Sequence, residues 1–421
     1  MTMSDLMVEF HDGPHATPPP ASDGPVFLGI KNVTDSGLLD LSEVRHIAEE
    51  DFARWTKRAT PQAGDVVFTY EATLHRYALI PEGFRGCLGR RLALIRPNPL
   101  VVIPRYLHFA LLGPTWRSTL TERVIAGSTV DRIPIINFPT FPIDLPDLAT
   151  QARVVDVLGP IDDLIENNRR RIALLERMAQ AIYREWFVHF RYPSHEDDEL
   201  VDSPIGAIPA SWETTTLAEH STALVDGDWI ETKDQGGSDY RLLQVSNIGV
   251  GSFRETGNFR YITADTFERL RCTEIRPGDI LISRMPDPVG RAWLVDALDH
   301  PAVTAVDVAI LTPPAPQSGL FLSYWLNSPE VLDRAETVAT GTTRKRITRS
   351  VLGSLDLAVP AERDLARFSG IVGPMVRAAS GLRRGSVTLT TARDLLLPKL
   401  VTGAIDVSKL DLDALLEEPA A

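Results

Sequence analysis

The chain has 421 residues, 44% hydrophobic and 24% charged, with a formal net charge of −13. This length allows about two to four domains, each with enough apolar residues for a core. Two cysteines do not make a disulfide framework, no apolar run reaches the ~18 residues of a membrane span, and the net acidity argues weakly against nucleic-acid binding.

The first part of the chain predicts a leader followed by a domain. Residues 1–24 carry several prolines and few large apolar side chains, so we expect a flexible leader. Residues 25–146 alternate short apolar runs with Gly and Pro, and residues 66–68 and 92–95 are predicted strands. The run 109–112 fits a helix or a strand equally well.

The clearest periodic signal lies in residues 147–190. Apolar residues alternate at spacings of four and three from Val154 to Trp186, which predicts a long helix with a heptad seam. Asn168 is the polar member of this seam and can fix its register. Pro160 either kinks the helix or occupies its first position. The seam positions that we assign to helix pairing or partner docking are Ile161, Ile165, Asn168, Ile172, Leu175, Ile182 and Trp186.

The second half repeats this order. Residues 191–205 are acidic and turn-rich, which predicts a linker, and residues 206–360 form a second domain with predicted strands at 280–282 and 308–311. Residues 361–403 predict a second long helix, whose seam is weaker because Ser386 and Arg393 interrupt it. Two striped helices in one chain most simply pack antiparallel. The corresponding seam positions are Leu382, Leu389 and Leu396, and an acidic tail follows at 404–421.

The two halves are related by an internal repeat with an offset of about 215 residues. Residues 28–33 (LGIKNV) match 243–248 (LQVSNI), Gly64-Asp65 match Gly278-Asp279, and Leu158-Gly159-Pro160 match Val372-Gly373-Pro374. Two similar units in one chain can bind a ligand that has two binding sites, or two copies of one partner.

No catalytic motif is present in the sequence. It has no phosphate-binding loop, no metal-ligand spacing of His and Cys, and no Gly-x-Ser-x-Gly elbow. Gly249-Val250-Gly251 begins like a dinucleotide fingerprint, but Arg254 occupies the third glycine position. The repeated Asp65 and Asp279 suggest either paired carboxylates or a turn before a strand. Cys87 and Cys272 fit a reducing compartment, so we expect a cytoplasmic protein.

Several segments resemble one family. Residues 161–171 and 174–190 (LLERMAQAIYREWFVHF) resemble the first central helix of type I restriction-modification specificity subunits. Residues 203–212 (SPIGAIPASW) resemble that family's entry into its second half, and 394–403 (DLLLPKLVTG) resemble its closing signature. The resemblance extends from about residue 25 to 405.

The resemblance implies an α+β fold with two α/β target-recognition domains separated by two long antiparallel helices. Each domain would read one half of a split site in double-stranded DNA, and the helices would dock two methyltransferase subunits. Restriction and motor subunits would join that core. The resemblance also implies that this chain is non-catalytic and holds no cofactor: S-adenosylmethionine would belong to the methyltransferase partner, and ATP and Mg to the restriction partner.

Candidate DNA contacts are polar or basic residues in loops of both halves. The basic loop at 341–349 is assigned mainly to the DNA backbone, with a solvated charge run as its alternative. For the residues next to strands, turn capping is the alternative. The candidates are Lys31, Asn32, Thr69, Tyr70, Ser128, Thr129, Arg132, Gln244, Ser246, Asn247, Ser283, Arg284, Thr342, Thr343, Arg344, Lys345 and Arg346.

Two other functions stay open from the sequence. The runner-up is the specificity protein of a fused or stand-alone methyltransferase system, which the sequence cannot separate from the first interpretation because the difference lies outside this polypeptide. A coiled-coil scaffold whose duplicated domains bind proteins is the alternative of another class, and the net charge of −13 supports it.

Overall fold

A computed structural model of the chain describes residues 1–127, 130–341 and 344–409. The chain forms two compact units. The first combines Met1–Asn167 with the residues from Gly385 onward, and the second is Asn168–Arg384. Both long helices cross this boundary, so each unit contains one part of each helix. Within the described residues, no helix combines the length and apolar character needed to cross a membrane.

The elements are numbered in chain order. The first unit begins with β1 (Met7–Asp12), β2 (Ala21–Leu28), β3 (Arg45–His46), α1 (Phe52–Trp55), β4 (Val66–Thr69), β5 (Tyr77–Leu79), β6 (Gly86–Leu88), β7 (Leu92–Pro97), α2 (Pro104–Leu112), α3 (Pro114–Thr121) and α4 (Leu148–Tyr183). The chain continues with β8 (Leu200–Ser203), β9 (Gly206–Pro209), β10 (Glu213–Thr216), α5 (Leu217–His220), β11 (Ala223–Asp226), β12 (Tyr240–Leu243), β13 (Tyr261–Ile262), α6 (Ala264–Leu270), β14 (Ile280–Ser283), β15 (Ala292–Leu294), β16 (Ala302–Thr304), β17 (Val308–Thr312), α7 (Pro316–Leu326), α8 (Pro329–Val338), α9 (Arg349–Gly353), β18 (Asp356–Val359) and α10 (Glu362–Val401).

The sheets confirm the internal repeat. The first unit has an antiparallel sheet of order β1-β7-β4-β5 and a three-stranded sheet of order β3-β2-β6, in which β2 and β6 are parallel. The second unit has the same two sheets, β11-β17-β14-β15 and β13-β12-β16, again with one parallel pair. The central strands are buried along their whole length, which explains their continuous apolar runs.

The prediction of a flexible leader over residues 1–24 is wrong for residues 3–12 and 21–24, because β1 lies in the first range and β2 begins in the second. Met3 and Leu6 are fully buried, and β1 pairs with β7 at the edge of the sheet. In this position β1 is the counterpart of β11, so the repeat begins before residue 25. The strand is hidden in the sequence because an edge strand with one solvated face carries charged residues, here Glu9 and Asp12, among its apolar ones.

Three further segments have definite structures. The run 109–112 lies in α2, whose first residue Pro104 supplies the fixed φ that favours a helix start. The predicted linker 191–205 contains β8, which forms a hairpin with β9. Pro160 lies inside α4, which starts at Leu148, so Pro160 does not begin the helix.

Both units pair α4 with α10 in an antiparallel manner. In the first unit Val154 and Leu158 share a core with Leu397 and Leu400. In the second unit, Tyr183 and the following turn, a π-helix at Arg184–Val188, pack on Phe368 near the start of α10. The predicted seam residues are all buried or half-buried, which agrees with a seam that faces the helix pair.

Arg393, which interrupts the apolar seam of the second helix, forms a buried ion pair in the first unit. Arg393 is 3% exposed, and its Nη1 donates to Asp162 Oδ1 at 3.1 Å while Nη2 donates to Asp394 Oδ1 at 2.7 Å. Burial lowers the pKa of Arg393, but the hydrogen bond to Asp394 and the charge of Asp162 outweigh it, so its pKa is raised overall. The guanidinium therefore stays charged within the helix pair.

Removing Arg393 alone should destabilise the first unit strongly. Arg393→Met leaves the Asp162 charge buried without its partner, and we expect a loss of about 3–5 kcal/mol in the free energy of unfolding. Arg383→Met is the matched control, because Arg383 pairs with a half-exposed Glu176 and surface pairs contribute about 0–1 kcal/mol.

Calorimetric unfolding of both variants measures the difference. The double variant Asp162→Leu/Arg393→Met should recover much of the lost stability, because no unpaired charge remains. Equal losses for Arg393→Met and Arg383→Met would show that the buried pair has no special role.

Candidate nucleic-acid interface

In each unit, three strand ends of the four-stranded sheet meet at one edge. In the second unit Asp226 at the end of β11 lies opposite Ala309, and Ser283 at the end of β14 lies opposite Val308. The first unit has the same arrangement. We call this the loop edge, and it is formed by Asp12, Thr69 and Leu92 in the first unit and by Asp226, Ser283 and Val308 in the second.

The predicted basic loops lie at this edge. Ile133 N donates to Tyr70 O at 2.8 Å in the first unit, and Ile347 N donates to Arg284 O at 3.0 Å in the second. Just before these anchors, Arg132 and Arg346 each form the closing bridge of a short loop. Arg132 and Arg346 are therefore equivalent positions. Their loops also contain Ser128, Thr129, Thr342 and Thr343, which lie outside the described residues.

Three arginines and two aspartates form a charge cluster at the loop edge of the second unit. Arg284 is buried, and its guanidinium donates to Asp226 and, through Nε, to Ile347 O at 3.2 Å. Arg349 lies 3.6 Å from Asp226, and Arg346 lies 3.0 Å from Asp307. Burial, reinforced by the charge of Arg346, lowers the pKa of Arg284. Arg284 is a structural cation here, whereas Arg346 and Arg349 keep part of their side chains in solvent.

The first unit carries different side chains on the same framework. Tyr70 takes the place of Arg284, since its amide donates to Arg91 O at 3.0 Å as the amide of Arg284 does to Asp307 O at 2.9 Å. Arg91 thus replaces Asp307, and its Nε lies 3.0 Å from Glu71. Burial and the charge of Asp12 raise the pKa of Tyr70, which keeps the phenol neutral.

A second basic feature of the first unit is a shallow groove beside this edge. Its volume is about 310 Å³, and four cationic residues line it together with Phe27 and Ile30. Lys31 is partly neutralised by Glu43, with 3.3 Å between Nζ and Oε2. The cationic lining residues are Lys31, Arg45, Arg90 and Arg91.

Two of the predicted contact residues are buried turn caps. Asn32 Oδ1 accepts from Gly29 N at 2.9 Å, and its Nδ2 donates to the carbonyl oxygens of Asp40 and Glu43. Asn247 repeats this with Gln244 N at 2.9 Å and Arg254 O at 3.0 Å. Both side chains are committed to the turn, so we do not propose DNA contacts for them.

Thr69 and Ser283 are also fully buried at equivalent strand ends. The Thr69 hydroxyl donates to Thr73 O and the Ser283 hydroxyl to Met285 O at 2.9 Å. These bonds shape the loop that follows each strand, and we do not propose DNA contacts for these residues either. Among the other candidates, Ser246, Arg344 and Lys345 are exposed and Gln244 is half-buried, and Lys345 pairs with Glu336 at 2.8 Å.

The repeated aspartates have a structural role as well. Asp65 Oδ2 accepts from Gln62 N and Asp279 Oδ2 from Arg276 N, each at 2.8 Å. Each aspartate caps the equivalent turn of its own unit, which is the turn role that the sequence also suggested. Across the described part of the chain, no group of three or more His, Cys, Asp or Glu side chains is placed to hold a metal ion.

One pair of residues at the loop edge carries no signal in the sequence. Gly13 N donates to Leu92 O at 2.7 Å and Gly227 N to Val308 O at 2.8 Å, so these glycines are equivalent. Two residues further on are His15 and Trp229, and both side chains are largely exposed. Periodicity reports which face of an element is buried, but it does not report exposure in a loop.

Comparison with known proteins shows which proteins the chain resembles. No family model matches the chain. It is 22% identical over 380 residues to the type I restriction enzyme MjaIX specificity subunit of Methanocaldococcus jannaschii, covering 87% of this chain and 83% of that protein. It is also 22% identical over 446 aligned positions to the HindI specificity subunit of Haemophilus influenzae, covering 90% and 94%. Over most of its length, the chain is similar to type I restriction enzyme specificity subunits.

The fold of the chain agrees with that of a solved structure. The S subunit of a type I restriction-modification system from M. genitalium superposes with a TM-score of 0.57 at 13% identity, and the match covers 95% of both chains. This likeness confirms the α+β fold with two long helices.

The turn caps can be tested by removing one amide. Asn247→Ala leaves Gln244 N and Arg254 O without their partner inside the turn, and we expect a loss of about 1–3 kcal/mol in the stability of the second unit. Ser246→Ala is the control, because this neighbour is exposed. Thermal unfolding compares the two variants. A fully stable Asn247→Ala chain that loses DNA binding would contradict the capping role.

Proposed function

We propose that this chain is the DNA sequence-specificity subunit of a type I restriction-modification complex, and that the loop edge of each unit reads one half of a bipartite site. The observation that carries the proposal is the pair of loop edges. They share one backbone framework and one arginine position, Arg132 and Arg346, while their neighbouring side chains differ.

A shared arginine with different neighbouring side chains fits the two kinds of contact in DNA recognition, to phosphates and to bases. Phosphate contacts are the same at every sequence, so two readers of different half-sites can share them, whereas base contacts must differ. Arg132 and Arg346 suit the phosphate role because both lie at the base of an exposed loop. The substitutions Tyr70 for Arg284 and Arg91 for Asp307 change the chemistry of the same two positions.

The acidity of the chain does not oppose this proposal at the loop edges. Asp226 and Asp307 are each paired with arginine in the second unit, so they orient guanidinium groups as well as neutralise them. In the first unit the groove lined by Lys31, Arg45, Arg90 and Arg91 adds positive charge beside the edge. We propose that these groups, rather than the total charge, meet the DNA backbone.

The partners proposed for this chain are two methyltransferase subunits and, in a restricting complex, restriction and motor subunits. The chain itself would be non-catalytic, with S-adenosylmethionine in the methyltransferase subunit and ATP with Mg in the restriction subunit. Because the seam residues are buried or half-buried, we propose other residues for docking. On α4, Leu174 is 51% exposed and Met178 is 44% exposed, and residues four apart share one helix face. We propose this apolar face as part of the methyltransferase docking surface.

The phosphate role of the shared arginine gives the main test. Arg346→Ala should weaken duplex binding similarly on all sequences and lower the slope of log K against log salt by about 1, because one phosphate contact is lost. Arg191→Ala is the control, since Arg191 is an exposed arginine that pairs with Glu185 on a different segment. Salt titrations of the complex co-purified with its methyltransferase subunit measure both slopes.

Two results separate this proposal from the protein-binding scaffold. The wild-type complex must bind duplex DNA in a salt-sensitive manner, and methylome mapping must return a split motif. A chain that co-purifies with no methyltransferase and binds no duplex would contradict the proposal and favour the scaffold.

The docking face has its own test. Leu174→Ser/Met178→Ser should reduce co-purification of the methyltransferase subunit with little change in thermal stability, because both side chains are exposed. Leu200→Ser is the control, as Leu200 is 58% exposed on β8. Unchanged co-purification by the double variant would remove α4 residues 174–178 from the docking surface.

A further inference from the structure

Trp229 is unusual among the tryptophans of this chain. Its side chain is 70% exposed, whereas Trp116, Trp186, Trp212, Trp293 and Trp325 are at most 9% exposed. Indole is a large, mostly apolar ring, so an exposed indole lacks the stabilisation that burial would give. An exposed large aromatic side chain next to charged residues is typical of a binding surface.

The backbone holds Trp229 firmly on both sides. Asp228 N donates to Thr304 O at 2.8 Å, and the Asp228 carboxylate accepts from Thr273 N at 3.2 and 3.0 Å. On the other side Ile230 packs against the core that contains Leu242 and Val303. The indole therefore projects from an anchored segment, and little conformational entropy is lost when it meets a partner.

Trp229 lies close in the chain to the charge cluster of the second unit. Trp229 follows Asp226 by three residues, so their Cα atoms are at most about 11 Å apart. Asp226 holds Arg284 and is 3.6 Å from Arg349. A duplex whose phosphates meet these cations would bring its groove within reach of the indole.

The first unit has another flat ring two residues after the equivalent glycine. Gly13 and Gly227 make the same backbone hydrogen bond, and a Cβ at either one would overlap a carbonyl oxygen. The close turn therefore requires glycine at both places, and His15 and Trp229 each follow this turn by two residues. The side chain of His15 is 72% exposed. Equivalent placement with different chemistry is what two readers of different sequences require.

We propose that Trp229 is a specificity-determining residue of the second unit, which places its indole against base edges in a groove of the DNA half-site. His15 occupies this place in the first unit. The inference rests on the proposed function. An indole covers apolar base-edge groups such as the thymine methyl, and it also fits against a base step that is partly opened. Imidazole presents a smaller ring with a hydrogen-bond donor and an acceptor.

The test compares Trp229→Ala, Trp229→Phe and the control Leu200→Ala in the complex with its methyltransferase subunit. On a duplex carrying the mapped motif, Trp229→Ala should bind about 5- to 150-fold more weakly, as for the loss of an aromatic contact to a base. Binding to unrelated duplexes should be unchanged, and Trp229→Phe should retain most of the affinity. Methylome mapping of Trp229→Ala should show relaxed sequence choice in one half of the motif only, and that of His15→Ala in the other half.

Tryptophan fluorescence gives a readout that does not depend on methylation. Subtracting the signal of the Trp229→Phe complex isolates the emission of Trp229, which acrylamide should quench strongly without DNA and several-fold less with it. Unchanged quenching, together with unchanged binding of Trp229→Ala, would overturn the inference while wild-type binding keeps the proposed function intact. Loss of the methyltransferase subunit from Trp229→Ala would overturn it in favour of a protein contact. A wild-type complex that binds no DNA would overturn both.

Discussion

Each unit completes its core with apolar residues from both long helices, and the remaining structure depends on this contact. In the first unit Val154 and Leu158 of α4 share a core with Leu397 and Leu400 of α10. In the second, Tyr183 and Trp186 meet Phe368 and Val372. The helices are therefore part of the folded domains. A change in how the helices pair would also disturb the packing of each sheet, because both share one core. The buried pair of Asp162 and Arg393 penalises such a change, because any shift would leave a charge without its partner inside the protein.

Comparing the two copies of the repeat distinguishes the residues that hold the backbone framework from the side chains that differ between the units. The turn caps Asn32 and Asn247, the strand-entry aspartates Asp65 and Asp279, and the close-packed Gly13 and Gly227 make the same bonds in both units. These residues define the framework, and none of them needs to face solvent. The side chains that differ, such as Tyr70 and Arg284, lie on the loops that this framework supports. A single backbone framework can thus present different side chains in its two copies.

Long-range features limit what the sequence reveals. The two helices and the central strands are predictable because their apolar patterns are long and regular. The strand β1 is not, since it is a short edge strand with charged residues, and proline-rich residues follow it. Arg393 looks like a break in a seam because Asp162, its partner, lies 231 positions away. At the candidate site, the sequence identifies the basic loops, but it does not distinguish a buried Asn247 from an exposed Ser246, nor does it indicate that Trp229 is uncovered.

The discontinuous first unit has a consequence for biosynthesis. Its core needs Leu397 and Leu400, which leave the ribosome long after the sheet that contains β1 has been made. The second unit is continuous from Asn168 to Arg384, so its synthesis is complete before Leu397 is added. Because domains fold as units during synthesis, the later-translated half can mature first. Until the last part of α10 has been synthesised, the earlier half exposes the apolar face of α4 that Leu397 and Leu400 later cover.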